Sequence, residues 1–344
     1  MRCLTLSLIL FLAAAAPATA ERMVKDSAGR QVAVPDRVER VFAAGPPASV
    51  LVYALAPEKL AGWSRAATPA EQAYLAPAYR DLPELGRLTG RGDTANLEVV
   101  LAAKPDLILD FGSIGDTYVS LADRVQAQTG IPYLLIDGRF VNTVAALRLT
   151  GQVLGVPERS GRLAAYAEAT FAGIDARLAQ VSPGQRPRVY LARGPDGLET
   201  GLRGSINTEI IERVGGINVA DASSERQGIA NVQLEQVLTW DPDTIVTWDA
   251  GFEGAVRRDP AWASVSAVET GRVYLSPGLP FGWIDRPPSI NRLIGLRWLA
   301  GLFYPGAGQD LRATTREFYQ LFYHVDLDAS ALDRLLGPAR GKAP

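Results

Sequence analysis

The residues best able to do chemistry in this chain are arginines and aromatics placed after short apolar runs. Trp63 and Arg65 follow Leu60-Ala61-Gly62, and Arg87 lies in the aperiodic stretch after them. Phe111 follows Leu107-Ile108-Leu109-Asp110, Arg193 follows Val189-Tyr190-Leu191-Ala192, and Arg203 lies in the glycine-rich stretch beyond it. Trp248 follows Thr244-Ile245-Val246-Thr247, and Phe281, Trp283 and Arg286 share the proline-rich loop from Pro277 to Pro288. Aromatic rings supply large apolar contact, and guanidinium groups supply planar forks of donors for carboxylate, phosphate or other oxyanion groups. Taken singly, a tryptophan is more often core packing and an arginine more often solvated. As a set at the ends of candidate strands, these ten residues read as the walls of a ligand site, since ligands of open parallel sheets bind at the carboxyl edge.

The rest of the chemical inventory is thin. His324 is the only histidine and Cys3 the only cysteine. A histidine-rich metal centre and a Ser-His-Asp triad are therefore excluded, and His324 reads as a surface or packed side chain. No G-x-S-x-G, H-E-x-x-H or phosphate-loop pattern occurs. Carboxylate pairs are available for acid–base work, but no spacing singles one out. The reading is a binder with no catalytic residues, no metal site and no cofactor, and an enzyme built on the same scaffold is the alternative.

Two stretches explain how such loops are positioned. Leu97-Glu98-Val99-Val100-Leu101 leads to Pro105-Asp106-Leu107-Ile108, and Leu234-Glu235-Gln236-Val237-Leu238 leads to Pro242-Asp243-Thr244-Ile245. One offset, that from Glu98 to Glu235, aligns every matched position. In each copy, leucine and valine recur at helical spacing, proline stops the helix, Pro-Asp turns, and a buried strand follows. Strand–helix alternation along the chain predicts an α/β fold: two similar lobes with mostly parallel central sheets and flanking helices.

The organisation follows from the punctuation. Arg2, the apolar run Leu4–Ala16 and Ala18-Thr19-Ala20 have the form of a cleavable secretory leader, residues 1–20. Cys3 precedes the apolar run and is not placed for lipidation at the cleavage site. Residues 21–156 form the first lobe. Residues 157–181 are a connecting helix, rich in Ala, Leu, Glu and Arg and ~35 Å long over Glu158–Gln180 at 1.5 Å per residue. Residues 182–336 form the second lobe, and 337–344 a disordered tail. The formal charge of −2 gives no reason to expect nucleic acid or an anionic membrane surface.

In this order and spacing the chain resembles the periplasmic substrate-binding proteins of ABC importers for iron chelates, haem and vitamin B12. The resemblance is carried by Val41 to Leu55, the two repeat blocks ending at Asp106 and Asp243, and Asn207–Gly216. It continues through Trp262 to Gly271-Arg272-Val273-Tyr274 and ends with Asn291–Pro305, so it spans about Arg40 to Pro305. It implies two lobes joined by one long α-helix, ligand capture between them with modest closure, a periplasmic location and a monomeric carrier. Some members hold haem iron through His or Tyr, others bind chelates through aromatics and arginines, and a subgroup binds molybdate or tungstate. With no histidine in the cleft loops, the expected ligand is a metal chelate of the iron–siderophore type, with molybdate, cobalamin and haem as alternatives. The resemblance also implies that Glu98 and Glu235, one per lobe, meet arginines of the membrane permease.

Overall fold

The computed structural model describes residues 20–90, 96–221, 228–305 and 310–336. The expected leader, with Cys3, and the expected tail at 337–344 lie outside the described residues, apart from Ala20. Eleven strands occur in chain order among the described residues: β1 (Glu21–Lys25), β2 (Gln31–Pro35), β3 (Val41–Ala43), β4 (Leu107–Gly112), β5 (Tyr133–Asp137), β6 (Arg188–Ala192), β7 (Glu199–Gly201), β8 (Ile217–Asn218), β9 (Ile229–Asn231), β10 (Thr244–Thr247) and β11 (Val273–Leu275). The first lobe is built on a parallel sheet in the order β3-β4-β5, and Leu60 adds a parallel bridge to Val41 at its edge. The second is built on a parallel sheet in the order β11-β10-β6-β8. Antiparallel pairs β1-β2 and β7-β9 flank them. Helices cover both faces, so β4 and β10 are buried on both sides and read as continuous apolar runs rather than alternating ones.

The internal repeat has a structural cause. Both copies begin with a seven-residue helix, Leu97–Ala103 and Leu234–Trp240. Each ends on a non-glycine residue in the left-handed region, Lys104 at φ 48° and Asp241 at φ 40°. The Asp of each Pro-Asp then reaches back to the start of the neighbouring strand. Asp106 Oδ2 accepts the Arg40 N–H at 2.8 Å, and Asp243 Oδ2 accepts the Arg188 N–H at 3.0 Å. Each of those arginines in turn donates to a carbonyl closing its repeat helix: Arg40 to Ala103 at 2.5 Å, and Arg188 to Trp240 at 2.6 Å. A carboxylate and an arginine thus satisfy groups that a helix end and a strand end would otherwise leave unpaired.

The helix Pro157–Leu178 is 22 residues long. Near its start, Arg159 donates to Ala54 O, and Ser160 packs against Gly151, where an added Cβ would lie 2.1 Å from the serine side chain. Near its end, Arg177 donates to Tyr304 O, and Asp175 pairs with Arg213 at 2.7 Å. Its two ends therefore contact different lobes. The boundary at 182 assigns the last helices, Leu311–Tyr323 and Ala329–Leu336, to the second lobe, yet besides the contact of Tyr319 with Trp283 they make hydrogen bonds with the first. Tyr53 Oη donates to Tyr323 O at 2.6 Å, Tyr74 Oη to Ala331 O at 3.0 Å, and Arg159 to Leu321 O. His324 caps Leu311–Tyr323 in the left-handed conformation, packed against Tyr53 and Arg159; burial lowers its pKa.

The lobes meet around Arg292, which is 1% exposed at the start of the helix Arg292–Phe303. Its Nη2 donates to Gly138 O of the first lobe, and Nη1 donates to Ile206 O and Glu209 Oε1 of the second, each at 2.7 Å. Glu209 also accepts the Phe140 N–H, and the Arg292 guanidinium lies 4.2 Å from the centre of the Phe140 ring. Burial lowers the pKa of Arg292, and the Glu209 carboxylate opposes that shift.

Removing one partner of a buried pair strands the other, so Arg292→Ala should cost about 3–5 kcal/mol of unfolding free energy. The urea midpoint at constant slope measures it. A loss below about 1 kcal/mol, the range of exposed pairs, would show that the junction does not depend on this contact.

Candidate functional site

A cavity of about 1000 Å³ opens between the lobes. Its floor is made by the carboxyl ends of β4, β5 and β6, which bring Asp110 to Ser113, Arg139 and Arg193 to one place. The helix Pro46–Leu55 points its first turn at the same space. Its first two positions are prolines, which carry no N–H, and the Ser49 N–H is used by Gly45 O. The dipole is therefore presented with few free donors. From the second lobe come Gly204 to Asn207, Gly228, Ile229 and the loop Pro280–Pro288.

Of the ten residues singled out in the sequence, Trp63, Arg65, Arg87, Phe111, Arg193, Phe281 and Arg286 line this cavity. Three do not. Trp283 is fully buried, with its Nε1 3.3 Å from Tyr319 Oη, and belongs to the core. Arg203 turns away to Asn218 O and the Asp221 carboxylate. Trp248 stands one layer back, its ring 4.6 Å from the Arg286 guanidinium and 5.8 Å from that of Arg193. Its role in this geometry is to support two arginines rather than to face the cavity. Trp63 and Phe111 are themselves almost wholly buried. Trp63 packs on Tyr53 and Phe281 and donates to Tyr79 O, so these rings stiffen the wall and offer it little open surface.

The cavity arginines differ in how far they are neutralised. Arg65 is clasped bidentately by Glu71 at 2.8 and 2.5 Å. Arg193 pairs with Glu199 at 2.8 Å and Asp285 at 3.0 Å. Asp285 is fully buried, and burial raises its pKa while Arg193 and Arg292 hold it down. Arg286 and Arg139 are exposed, and among the described residues neither has a carboxylate within ion-pair distance. Arg286 is held by its stacking on Trp248. Arg139 was missed in the sequence, although Gly138-Arg139 directly follows the strand Tyr133–Asp137, much the same signal that marked Phe111 and Arg193.

Asp110 was missed as well. It lies on the cavity wall, 4% exposed, where β4 ends. Thr89 Oγ1 donates to its Oδ1 at 3.1 Å and Tyr133 Oη to its Oδ2 at 3.4 Å. Burial pushes its pKa up to about 6, opposed by the hydrogen bonds from Thr89, the Phe111 N–H and Tyr133. Among the described residues no cluster of three or more His, Cys, Asp or Glu side chains could hold a metal ion, and no helix is long and apolar enough to cross a membrane. The arrangement is suited to holding an anion by guanidinium forks and polar groups.

Comparison with known proteins agrees with that architecture. A family model described as periplasmic binding protein matches residues 50–278. The molybdate-binding protein MolA of Haemophilus influenzae is 28% identical over 338 residues, covering 90% of this chain and 92% of the relative. An uncharacterised ABC transporter substrate-binding lipoprotein of Bacillus subtilis, YvrC, is 25% identical over 64% of this chain and 69% of the relative. Among solved structures, an ABC transporter solute binding protein from Sulfurospirillum deleyianum superposes with a TM-score of 0.83 at 29% identity, covering 92% of this chain and 99% of that one. MolA bound to molybdate shares the fold, with a TM-score of 0.73 at 24% identity over 89% of this chain and 99% of that one.

The buried Asp110 carboxyl makes stability depend on pH. Its folded pKa lies above the unfolded one, so its favourable contribution is complete below the unfolded pKa, near 3.9, and is lost as pH rises through about 6. Asp110→Asn, which cannot ionise, should therefore gain on the wild type across that window, by about 3 kcal/mol at pH 7.5 on the scale of 1.36 kcal/mol per unit. Chemical denaturation of both proteins at pH 4, 5.5 and 7.5 measures this. A constant difference across the series would mean that Asp110 keeps an ordinary pKa.

Proposed function

The chain belongs to the periplasmic binding protein family, and as the substrate-binding component of an ABC importer we propose that it captures an anionic, oxygen-rich solute without transforming it. The observation that carries this reading is the pair of arginines without a carboxylate partner among the described residues, Arg139 from the first lobe and Arg286 from the second, facing one cavity. The cavity volume of about 1000 Å³ is at the upper end of the range of roughly 300–1000 Å³ usual for small-molecule sites. That size favours an anionic metal chelate of the siderophore type over a small bare ion. A second reading, molybdate, is supported by the relative of that specificity, which aligns over most of the chain. Both ligands present oxygen atoms to guanidinium groups, and the cavity contains no histidine to ligate haem iron. Membership of this family supports a periplasmic location.

Ligand binding to the native state should raise stability by about 2.7 kcal/mol at a hundredfold excess over Kd. A melting-shift series with molybdate, tungstate, cobalamin and ferric siderophores separates the two readings. Arg286→Ala and Arg139→Ala should each weaken binding by about 1.5–3 kcal/mol, the worth of a charge-assisted hydrogen bond. Calorimetry showing unchanged affinity in both variants would sink the anion reading. Conversion of a bound ligand to product at stoichiometric protein would favour an enzyme instead.

Glu98 and Glu235 are both exposed, each in the first turn of its repeat helix. We place the permease contact there. Glu98→Arg with Glu235→Arg should leave ligand affinity within about twofold while abolishing uptake, because like charges across a docking surface repel. A capping role alone predicts the reverse pattern, with a lowered Tm and transport retained, since a carboxylate near a helix N-terminus contributes about 0.3–1 kcal/mol.

A further inference from the structure

Asp110 is a carboxyl on the wall of a cavity that also carries Glu71, Glu84 and Asp285, and whose arginines Arg139 and Arg286 have no ion-pair partner among the described residues. An ionised carboxylate there would repel the cargo proposed above. Its surroundings show how the conflict is resolved. From the segment Leu88–Gly90 comes Thr89, whose hydroxyl donates to Asp110 Oδ1 at 3.1 Å and which also lines the cavity. From β5 comes the Tyr133 hydroxyl, kept neutral by burial, which pushes its pKa well above the usual range. The helix Asp116–Thr129 brings Tyr118 near Tyr133. The turn between β1 and β2 brings Arg30, which donates to Tyr133 O and is paired with Asp26 and Asp123. Arg87 precedes Thr89 by two residues on the cavity wall. Among the described residues no cation is ion-paired with Asp110. Among the described residues the carboxyl is held by neutral donors alone.

A hydroxyl between a carboxyl and a cavity has two orientations. Facing an ionised Asp110, Thr89 must spend its proton on the carboxylate, and only oxygen lone pairs are left for the cavity. Facing a neutral Asp110, Thr89 accepts the carboxyl proton and its own O–H is free to point at a ligand oxygen. Thr89 sits close against the backbone of Ala44 and Gly45. An added Cβ on Gly45 would lie 2.6 Å from Thr89 Oγ1, and the Thr89 N–H is bonded to Ala44 O.

We propose that Thr89 and Asp110 form a protonation-linked anion contact: the protein binds its anion with Asp110 as the neutral acid and the Thr89 hydroxyl turned to the ligand. This rests on the anion reading of the cavity. Binding then takes up one proton at Asp110 whenever it starts ionised, and no other bond is made or broken. The raised pKa of Asp110, about 6, puts that uptake within reach of neutral pH.

Calorimetry with two probes, molybdate and a ferric tris-catecholate, at pH 5.5 and 7.5 tests it. The wild type should bind whichever probe it accepts at least tenfold more tightly at pH 5.5. Asp110→Asn, whose amide permanently donates to Thr89, should bind at both pH values with the wild-type affinity of pH 5.5. Thr89→Val, nearly the same shape without the hydroxyl, should bind at both with an affinity no better than that of wild type at pH 7.5. An Asp110→Asn protein that keeps the wild-type pH slope overturns the proposal, because the slope then belongs to the probe or to another group. So does flat wild-type binding of either probe, which leaves the anion reading standing. If neither probe binds at either pH, while a neutral or cationic ligand does, the anion reading fails and this contact falls with it.

Discussion

A guanidinium taken out of water has to find acceptors, and everything between the two lobes is arranged around that requirement at Arg292. Burying a charge is costly unless hydrogen bonds and a counter-charge replace its hydration. Arg292 finds Gly138 O on one side, Ile206 O and Glu209 on the other, and Ser289 O on its own chain segment. These acceptors are divided between the two lobes, with Gly138 O supplied by the first and the others by the second. A rotation that opened the cleft widely would strip the charge of partners from one side, so the contact sets a narrow range for relative motion. The cavity stands next to this junction, and Asp285, held by both Arg193 and Arg292, links the buried charge to the cavity wall.

The charge pattern of the cavity follows a similar economy. Arg65 and Arg193 have carboxylate partners in place, and their positive field is largely spent. Arg286 is held by an aromatic face instead, which fixes its position without cancelling its charge. A site made only of paired arginines would be rigid and indifferent to anions. One made only of unpaired arginines would repel itself. The observed mixture supplies shape from the pairs and attraction from the remainder.

Much of this was legible in the sequence because it rests on local rules. The matched Leu–Glu and Pro–Asp blocks marked two equivalent helix–turn–strand units, and the structure shows why the aspartate recurs: Asp106 and Asp243 each hold the start of the adjacent strand. The apolar runs located the strands, and their carboxyl ends located the cavity. What sequence could not separate was facing from backing. Trp248 and Phe111 carry the same local signal and Trp283 shares a loop with Phe281, yet Trp283 is in the core and Trp248 lies behind two arginines. Side-chain type gives affinity for apolar surroundings, and the partners 36 residues or more away decide which surroundings those are, as with Trp283 and Tyr319. Arg139 and Asp110 were overlooked for the opposite reason: their types are common on any surface, and only burial and pairing make them distinctive. The return of the last helices to the first lobe has no local signature at all.

That return has a consequence in time. The contact between His324 and Tyr53 O joins residues 271 positions apart, and Phe318, Phe322 and Tyr323 are part of the same core as Val41, Leu51 and Leu109. A chain made from its N-terminus at ~5–20 residues per second would expose Tyr53 on the order of tens of seconds before its partner exists. During that interval the first lobe has its sheet but lacks one wall of its core. Long-range contacts of this kind slow folding. The core of the first lobe is therefore closed only after the helix Leu311–Tyr323, made almost last, has been added to it.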